Sequence, residues 1–316
     1  MRAATVREQE IVVEEHPDPE PGAGEALVRV RAAGLNGGDM AQRRGLYPAP
    51  RGWPQDIPGM EVAGEVAALG EGAERFAVGA RVMAIVGGGG QAELAVVHER
   101  LLMPVPDALG WPEAGGLPEV FTTAHDALFS QAQLRSGERL LVHGGAGGVG
   151  TAAIQLARAS GARVTATVRA EELREQVARL GATVLAPDEF VEDGPYEVIL
   201  ELVGAPNLAD NLQALATGGR IAVIGVSAGA KGELNLLALM AKRARIHGST
   251  LRARSFEEKA LAARALEREV LPLFESGTLE VPVADTFGLE DAAAAYSRFE
   301  AGAKHGKIVL LIGDGA

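Results

Sequence analysis

Arg139-Leu-Leu-Val-His-Gly-Gly-Ala-Gly-Gly-Val-Gly-Thr-Ala-Ala-Ile-Gln-Leu-Ala157 is the stretch that decides the fold. An apolar run enters a glycine-rich turn, and an amphipathic run leaves it. Gly145, Gly147 and Gly150 satisfy G-x-G-x-x-G. Placed between a strand and a helix, that spacing is the dinucleotide fingerprint. Gly145 is expected to permit the tight turn, Gly147 to let backbone approach a pyrophosphate, and Gly150 to let helix and strand pack closely. Ala146, Gly148 and Val149 complete the turn. The free amides of the helix start then face the phosphates with a favourable dipole.

Downstream of residue 118 strands and helices alternate. Expected strands are 139–143, 163–168, 183–186, 197–202, 220–225 and 245–250; expected helices are 148–160, 170–180, 208–216 and 234–242. Such alternation marks a doubly wound parallel sheet, a Rossmann domain. Upstream of 118, short apolar runs at 26–33, 61–69, 80–86 and 91–97 sit between Gly and Pro turns, which reads as a β-rich, partly open barrel. Residues 255–275 read as a long helix opened by a Ser255/Glu258 capping box and disturbed by Pro272. A helix at 289–301 and a strand at 307–312 follow. Periodicity assigns these last two to neither domain.

A chain of 316 residues is long for one hydrophobic core. Its net charge of −12 argues against a nucleic-acid surface and an anionic-membrane surface. Without cysteine it has no disulfide, thiolate zinc site, iron–sulfur cluster or cysteine nucleophile. No apolar run is long enough to span a membrane, and MRAATVREQE lacks the apolar core of a signal peptide, so a cytoplasmic protein is expected.

Cofactor choice is made at the end of the second Rossmann strand. An acid there binds the ribose 2′-hydroxyl of NAD, whereas an arginine can hold the 2′-phosphate of NADP. The strand end carries Arg169 and no immediate acid, with Glu171 and Glu172 just beyond. NADPH is the expected cofactor.

With these residues in hand, the chain resembles the zinc-free quinone oxidoreductase (zeta-crystallin-like) branch of the medium-chain dehydrogenases/reductases. The landmarks run along nearly the whole sequence: Ala33-Gly-Leu-Asn-Gly-Gly-Asp39, Pro58-Gly-Met-Glu-Val-Ala-Gly64, Val78-Gly-Ala-Arg-Val82, Gly87 to Glu93, Thr122-Thr-Ala124, Leu180-Gly-Ala182 and Gly306-Lys-Ile-Val-Leu310. The resemblance implies a GroES-like catalytic domain (1–118) completed by 258–316 around a Rossmann domain (119–257). Zinc-dependent members bear Cys where Asn36 stands and His-Glu where Met60-Glu61 stands, so no metal is expected here.

The resemblance also implies site residues. Tyr47 falls at the substrate cleft, where its phenol either donates a hydrogen bond or proton to a developing oxyanion, or only packs. Asn36 lies near the nicotinamide, orienting the carboxamide or substrate oxygen or else serving a turn. Thr123 contacts the cofactor or starts a helix. Val203, Gly204, Gly225 and Val226 follow later strands and touch the nicotinamide ribose or ring. Leu251 and Arg252 line the cofactor cleft. The family's usual Gly-Ser at the second strand end is Arg169-Ala170 here, and the lysine shortly after it is missing. The implied activity is NADPH-dependent reduction of small quinones or conjugated enones. An enoyl-thioester reductase and a non-enzymatic NADP(H)-binding sensor or structural protein are the alternatives. A homodimer joined near 246–251 is expected, since an exposed edge strand is a pairing template.

Overall fold

The computed structural model describes residues 1–313. Backbone contacts divide the chain into two units. The first comprises Met1–Thr122, Leu251–Gly302 and the chain from Lys307; the second comprises Thr123–Thr250 and Ala303–Gly306. The divisions fall after Thr122 and Thr250, so residues 251–257 group with the first unit.

The second unit is a six-stranded sheet, parallel throughout. In spatial order its strands are Thr183–Leu185, Arg163–Thr167, Arg139–His143, Tyr196–Glu201, Leu215–Val223 and Arg245–Gly248. The chain winds outward one way from Arg139–His143 and then the other way from Tyr196–Glu201. Ligands of such sheets bind where the winding reverses, beyond the carboxyl ends of the strands. The two central strands are buried on both faces, so they read as continuous apolar runs: Leu140, Leu141, Val142, Val198, Ile199 and Leu200 are all fully buried. Helix Gly148–Ala159 buries Ala152, Ala153, Ile154, Leu156 and Ala157.

The first unit is a seven-stranded sheet and a two-stranded hairpin. Strand Glu25–Gly34 is its hub, pairing antiparallel with Glu61–Leu69, Leu94–His98 and Lys307–Leu311. The core gathers Val28, Val30, Val62, Val82, Val97, Tyr296, Ile308 and Leu310. The register Val309↔Gly34, Leu310↔Ala33 matters for the site. Continued by one step it runs Leu35 N–H into the Ile308 carbonyl at 2.8 Å, and it brings Lys307 to Asn36. The terminal helix and strand, which periodicity leaves unassigned, therefore complete the first unit.

Several elements differ from the sequence expectation. Hairpin Arg2–Arg7/Glu10–Glu15 was not anticipated, because its turn is made by Glu8 and Gln9 at φ 51° and 69°, without the Asn-Gly or Asp-Gly that usually marks such turns. The expected helix 170–180 opens as a 3₁₀ turn, Glu171–Leu173, before Arg174–Arg179. The strand expected at 220–225 begins earlier, at Leu215, and runs to Val223 through Gly218-Gly219. The helix from Ser255 is interrupted at Val270 and restarts as Leu271–Glu275, with Pro272 in the first turn, where a missing N–H costs nothing.

Lys307 and Glu61 are nearly inaccessible, at 3% and 0% side-chain exposure, and 2.7 Å apart. Removing one partner of such a pair strands a buried charge. Lys307→Met is expected to lower the unfolding free energy by about 3–5 kcal/mol in denaturant titration, and Lys307→Met/Glu61→Gln to regain at least half of it. A single variant within about 1 kcal/mol of the parent would show that the pair does not hold this unit together.

Candidate active site

In the second unit the glycine turn sits at the carboxyl end of Arg139–His143. The positive φ of 70° belongs to Gly144, so the tight turn depends on Gly144 and not on Gly145. Gly145 instead allows close strand packing: a Cβ there would lie 2.8 Å from the Ala166 methyl. A Cβ on Gly150 would lie 2.4 Å from the Gly144 carbonyl oxygen, so helix and turn can touch only through glycine. Gly147 differs. Its φ and ψ of −76° and 166° suit any residue, and the nearest atom to an added Cβ is 3.6 Å away. Nothing in the protein requires glycine there. An open cradle of that kind is what a pyrophosphate needs for close backbone approach. Helix geometry leaves the amides of Gly148, Val149 and Gly150 without intrahelical acceptors, and no side chain caps them. The turn fits a dinucleotide.

The neighbouring strand ends are cross-braced. Glu201, at 3% exposure, accepts the Val203 and Gly204 amides on one carboxylate oxygen, at 2.7 and 2.8 Å, and Asn211 Nδ2 on the other at 2.7 Å. Because that amide nitrogen is committed, Asn211 Oδ1 accepts from His143 Nε2, 2.7 Å away. His143 Nδ1 then accepts the Thr167 hydroxyl at 3.0 Å. Burial lowers the His143 pKa, and both ring nitrogens of the neutral form are satisfied. The loop after Glu201 is zipped to the next one by Ala228 N–H to the Val203 carbonyl and Ala205 N–H to the Gly229 carbonyl, both 2.9 Å. Val203, Gly204, Gly225 and Val226 are thereby brought together, with Gly225 close enough that a Cβ would strike the Leu202 carbonyl.

Arg169 stands exposed after strand Arg163–Thr167. A second guanidinium, which no sequence motif marks, joins it at this strand end: Arg174 Nε donates to the Val168 carbonyl at 3.1 Å. Thr123 is buried in helix Pro118–His125, within which the division between units falls.

In the first unit the remaining residues form a polar cluster. Asn36 precedes helix Gly37–Arg43; its backbone N–H donates to Asp39 Oδ2 at 2.8 Å, and Gly59 N–H donates to Asp39 Oδ1 at 3.0 Å. The Asn36 side chain is committed at both ends. Its Nδ2 donates to Glu61 Oε1 at 2.8 Å, and its Oδ1 accepts from Lys307 Nζ at 2.6 Å. Lys307 donates its other two hydrogens to Glu61 Oε1 and to the Leu35 carbonyl, at 2.7 and 2.8 Å. Glu119 N–H reaches Glu61 Oε2 at 2.8 Å. Lys307 appeared in the sequence only as part of a landmark, and Glu119 resembled any acid in the first turn of a helix.

Arg252 is 2% exposed and spends every nitrogen on this unit: Nε on the Gly87 carbonyl, Nη1 on the Tyr47 carbonyl and Nη2 on Gln42 Oε1. Its guanidinium lies over the Tyr47 ring, 4.9 Å from the centroid. Leu251 is buried beside it in the chain. Burial raises the Tyr47 pKa, the charge of Glu119 adds to the rise, and Arg252 opposes it. Met60 and Tyr47 both press on Gly38, where a Cβ would lie 2.3 Å from the Met60 sulfur. Gln91 is fully buried, and its Oε1 accepts the Tyr296 hydroxyl at 2.9 Å.

The donor set around Asn36 does not suit zinc. An amide and a thioether stand where the superfamily uses thiolate and imidazole, and the Lys307 ammonium already lies between Asn36 and Glu61. Among the described residues no group of three or more His, Asp or Glu side chains is placed to hold a metal ion.

The open position at Gly147 gives a clean test. Gly147→Ala is expected to leave unfolding stability unchanged or raised by about 0.4–1 kcal/mol, because its backbone suits alanine, while weakening NADPH binding about tenfold or more in calorimetry. Gly150→Ala is expected instead to destabilise the fold by about 1–3 kcal/mol. Unchanged NADPH affinity in Gly147→Ala would contradict pyrophosphate binding at this turn.

Two family models match the chain, the alcohol dehydrogenase GroES-like domain over residues 22–107 and the zinc-binding dehydrogenase domain over 148–267. The quinone oxidoreductase of Rattus norvegicus is 32% identical over 306 residues, which is 93% of this chain and 91% of that protein. A phenolphthiocerol/phthiocerol polyketide synthase subunit of Mycobacterium tuberculosis is 34% identical over 303 residues, covering 92% of this chain but 14% of that protein. A mycobacterial protein solved in complex with NADPH superposes with a TM-score of 0.89 at 28% identity, over 98% of this chain and all of that one. The chain belongs to the quinone oxidoreductase family of the medium-chain dehydrogenases/reductases, and it is an NAD(P)H-dependent oxidoreductase.

Proposed function

We propose that this enzyme uses NADPH to reduce small quinones and conjugated enones, without a metal ion. The observation that carries the reading is the Lys307 ammonium bonded to Asn36 and Glu61. A metal ion would polarise an unactivated C–O bond as a Lewis acid. With an ammonium built in at that carboxylate, an acceptor that is electron-poor already suits the site best, since a quinone or enone stabilises its own oxyanion or enolate. Bound NADPH supplies the hydride. The chain's own residues bind the cofactor and position the acceptor.

The pyrophosphate is assigned to the turn Gly145–Val149, and the nicotinamide half to Thr123, Val203, Gly204, Gly225 and Val226. Arg169 is assigned to the 2′-phosphate, and Arg174 doubles the positive charge beside it. Guanidinium groups suit phosphate through paired N–H donors. In the first unit Tyr47 faces the acceptor, and Asn36 and Arg252 act by holding the site: Asn36 through its amide, Arg252 by fixing the Tyr47 loop.

A second reading has one observation in its favour. The similarity to a polyketide synthase subunit supports an enoyl-thioester as acceptor. The same hydride chemistry applies, with a longer substrate.

The proposed assembly is a homodimer. Strand Arg245–Gly248 is a sheet edge, and helix Leu236–Lys242 before it exposes Leu236, Leu237 and Met240 at 64%, 75% and 71%. No helix among the described residues is long and apolar enough to cross a membrane.

One preparation tests these points together. Light scattering is expected to give a dimer. NADPH oxidation is expected with simple quinones and short enones, and more slowly with crotonyl-coenzyme A. Faster turnover of the thioester would favour the second reading, and absence of turnover on every acceptor with NADPH bound would overturn both.

A further inference from the structure

Three adjacent parallel strands of the second unit, Arg163–Thr167, Arg139–His143 and Tyr196–Glu201, each end on a buried polar side chain. The winding of the sheet reverses between the last two, where open sheets of this kind bind ligands. Each strand end also anchors a loop. His143 is followed by Gly144, whose positive φ opens the glycine turn, and Gly145 N–H donates to the Thr167 carbonyl at 3.0 Å. Thr167 and His143 are joined by their side chains at 3.0 Å. On the other side Glu201 grips two loops at once. Its carboxyl group accepts the Val203 and Gly204 amides, and its backbone carbonyl accepts the Ile224 and Gly225 amides at 2.9 and 3.1 Å. These are the loops to which the nicotinamide half is assigned.

Strand pairing alone does not connect the two sides. The nearest His143 nitrogen and Glu201 oxygen are 3.9 Å apart, too far for a hydrogen bond. Asn211, buried in helix Leu208–Ala214, bridges that gap. Its Nδ2 donates to Glu201 Oε2 at 2.7 Å, and its Oδ1 meets His143 Nε2 at 2.7 Å. Asn207 Nδ2 approaches the same Glu201 oxygen at 3.1 Å. A reversed Asn211 amide would set oxygen against the Glu201 oxygen, so its orientation is fixed. We propose that Asn211 is a positioning residue for hydride transfer: its amide fixes the offset between the glycine turn and the loops carrying Val203, Gly204 and Gly225, and so holds the nicotinamide half of the coenzyme in register with the pyrophosphate. The inference rests on the dinucleotide-binding reading of this unit. Asn211 acts through His143 and Glu201, on a reaction in which small misplacements of the reacting atoms are costly.

Asn211→Asp tests this by putting an oxygen where the donor nitrogen stands, at nearly equal size. Asn211→Ser empties the position without adding a carboxyl. Asn211→Asp/Glu201→Gln restores the match with donor and acceptor exchanged: the glutamine oxygen keeps the Val203 and Gly204 amides while its nitrogen donates toward position 211. In both single variants the single-turnover rate of NADPH oxidation by a quinone is expected to fall on the order of 10- to 100-fold. The fluorescence anisotropy of the bound dihydronicotinamide, a readout free of turnover, is expected to fall with it. Affinity for adenosine 2′,5′-bisphosphate, which carries the adenine half alone, should stay within about twofold of the parent. The double variant should return to within about threefold of the parent rate, with anisotropy restored. Parent-like rate and anisotropy in the single variants, loss of adenine-half affinity in step with rate, or a double variant no better than Asn211→Asp would overturn the inference. So would failure of the variants to fold, since Asn211 would then serve stability and not placement. A parent that binds NADPH yet reduces no quinone or enone overturns the proposed acceptor alone, because the anisotropy contrast still decides the role of Asn211. A parent that binds no NADPH overturns the dinucleotide reading and the inference with it.

Discussion

One ammonium group organises the first unit. Lys307 comes from the end of the chain, yet its three hydrogens go to Leu35, Asn36 and Glu61. A lysine held this deep is tolerable only when every donor is matched and a carboxylate faces it. The sheet register supplies the match, since the pairing of Val309 with Gly34 leads Lys307 to Asn36. Much of the site's chemistry follows from that placement. Asn36 cannot turn its amide outward without breaking two short bonds. The stability of this unit and the geometry of its site therefore have a common origin.

The second unit offers an open backbone turn, to which the proposed function assigns the dianionic pyrophosphate. Gly144, Gly145 and Gly150 are required by the protein's own packing, whereas Gly147 is required by nothing within it. The strand ends around that turn are locked by uncharged and singly charged hydrogen bonds running from Thr167 through His143 and Asn211 to Glu201. Glu201 then fixes two successive amides of the following loop. Preorganisation of this kind matters for hydride transfer, where small misplacements of the reacting atoms are costly.

The second unit was largely legible in the sequence because parallel, doubly covered strands are apolar without interruption and the fingerprint sits between strand and helix. The hairpin Arg2–Arg7/Glu10–Glu15 was not, since Glu8 and Gln9 reach left-handed conformations without a glycine to announce them. Among the candidate site residues, the glycine turn and Tyr47 are visible through motif and resemblance. The partners of Asn36 were hidden. Glu61 lies 25 residues away in sequence and Lys307 lies 271 away, and only tertiary register joins them. Glu119 was hidden for another reason: an acid in a first helical turn is ordinary, and only the fold brings its amide to Glu61. Arg252 was expected to serve the cofactor, but its nitrogens turn to Gly87, Tyr47 and Gln42.

We propose that hydride transfer proceeds without a metal ion, the Lys307 ammonium standing at Glu61 in its place. Protein stripped by chelator, with metal content verified below stoichiometry, should oxidise NADPH with a quinone at the full single-turnover rate, and added zinc should not raise it. A rate that collapses on chelation and returns with zinc would contradict the account.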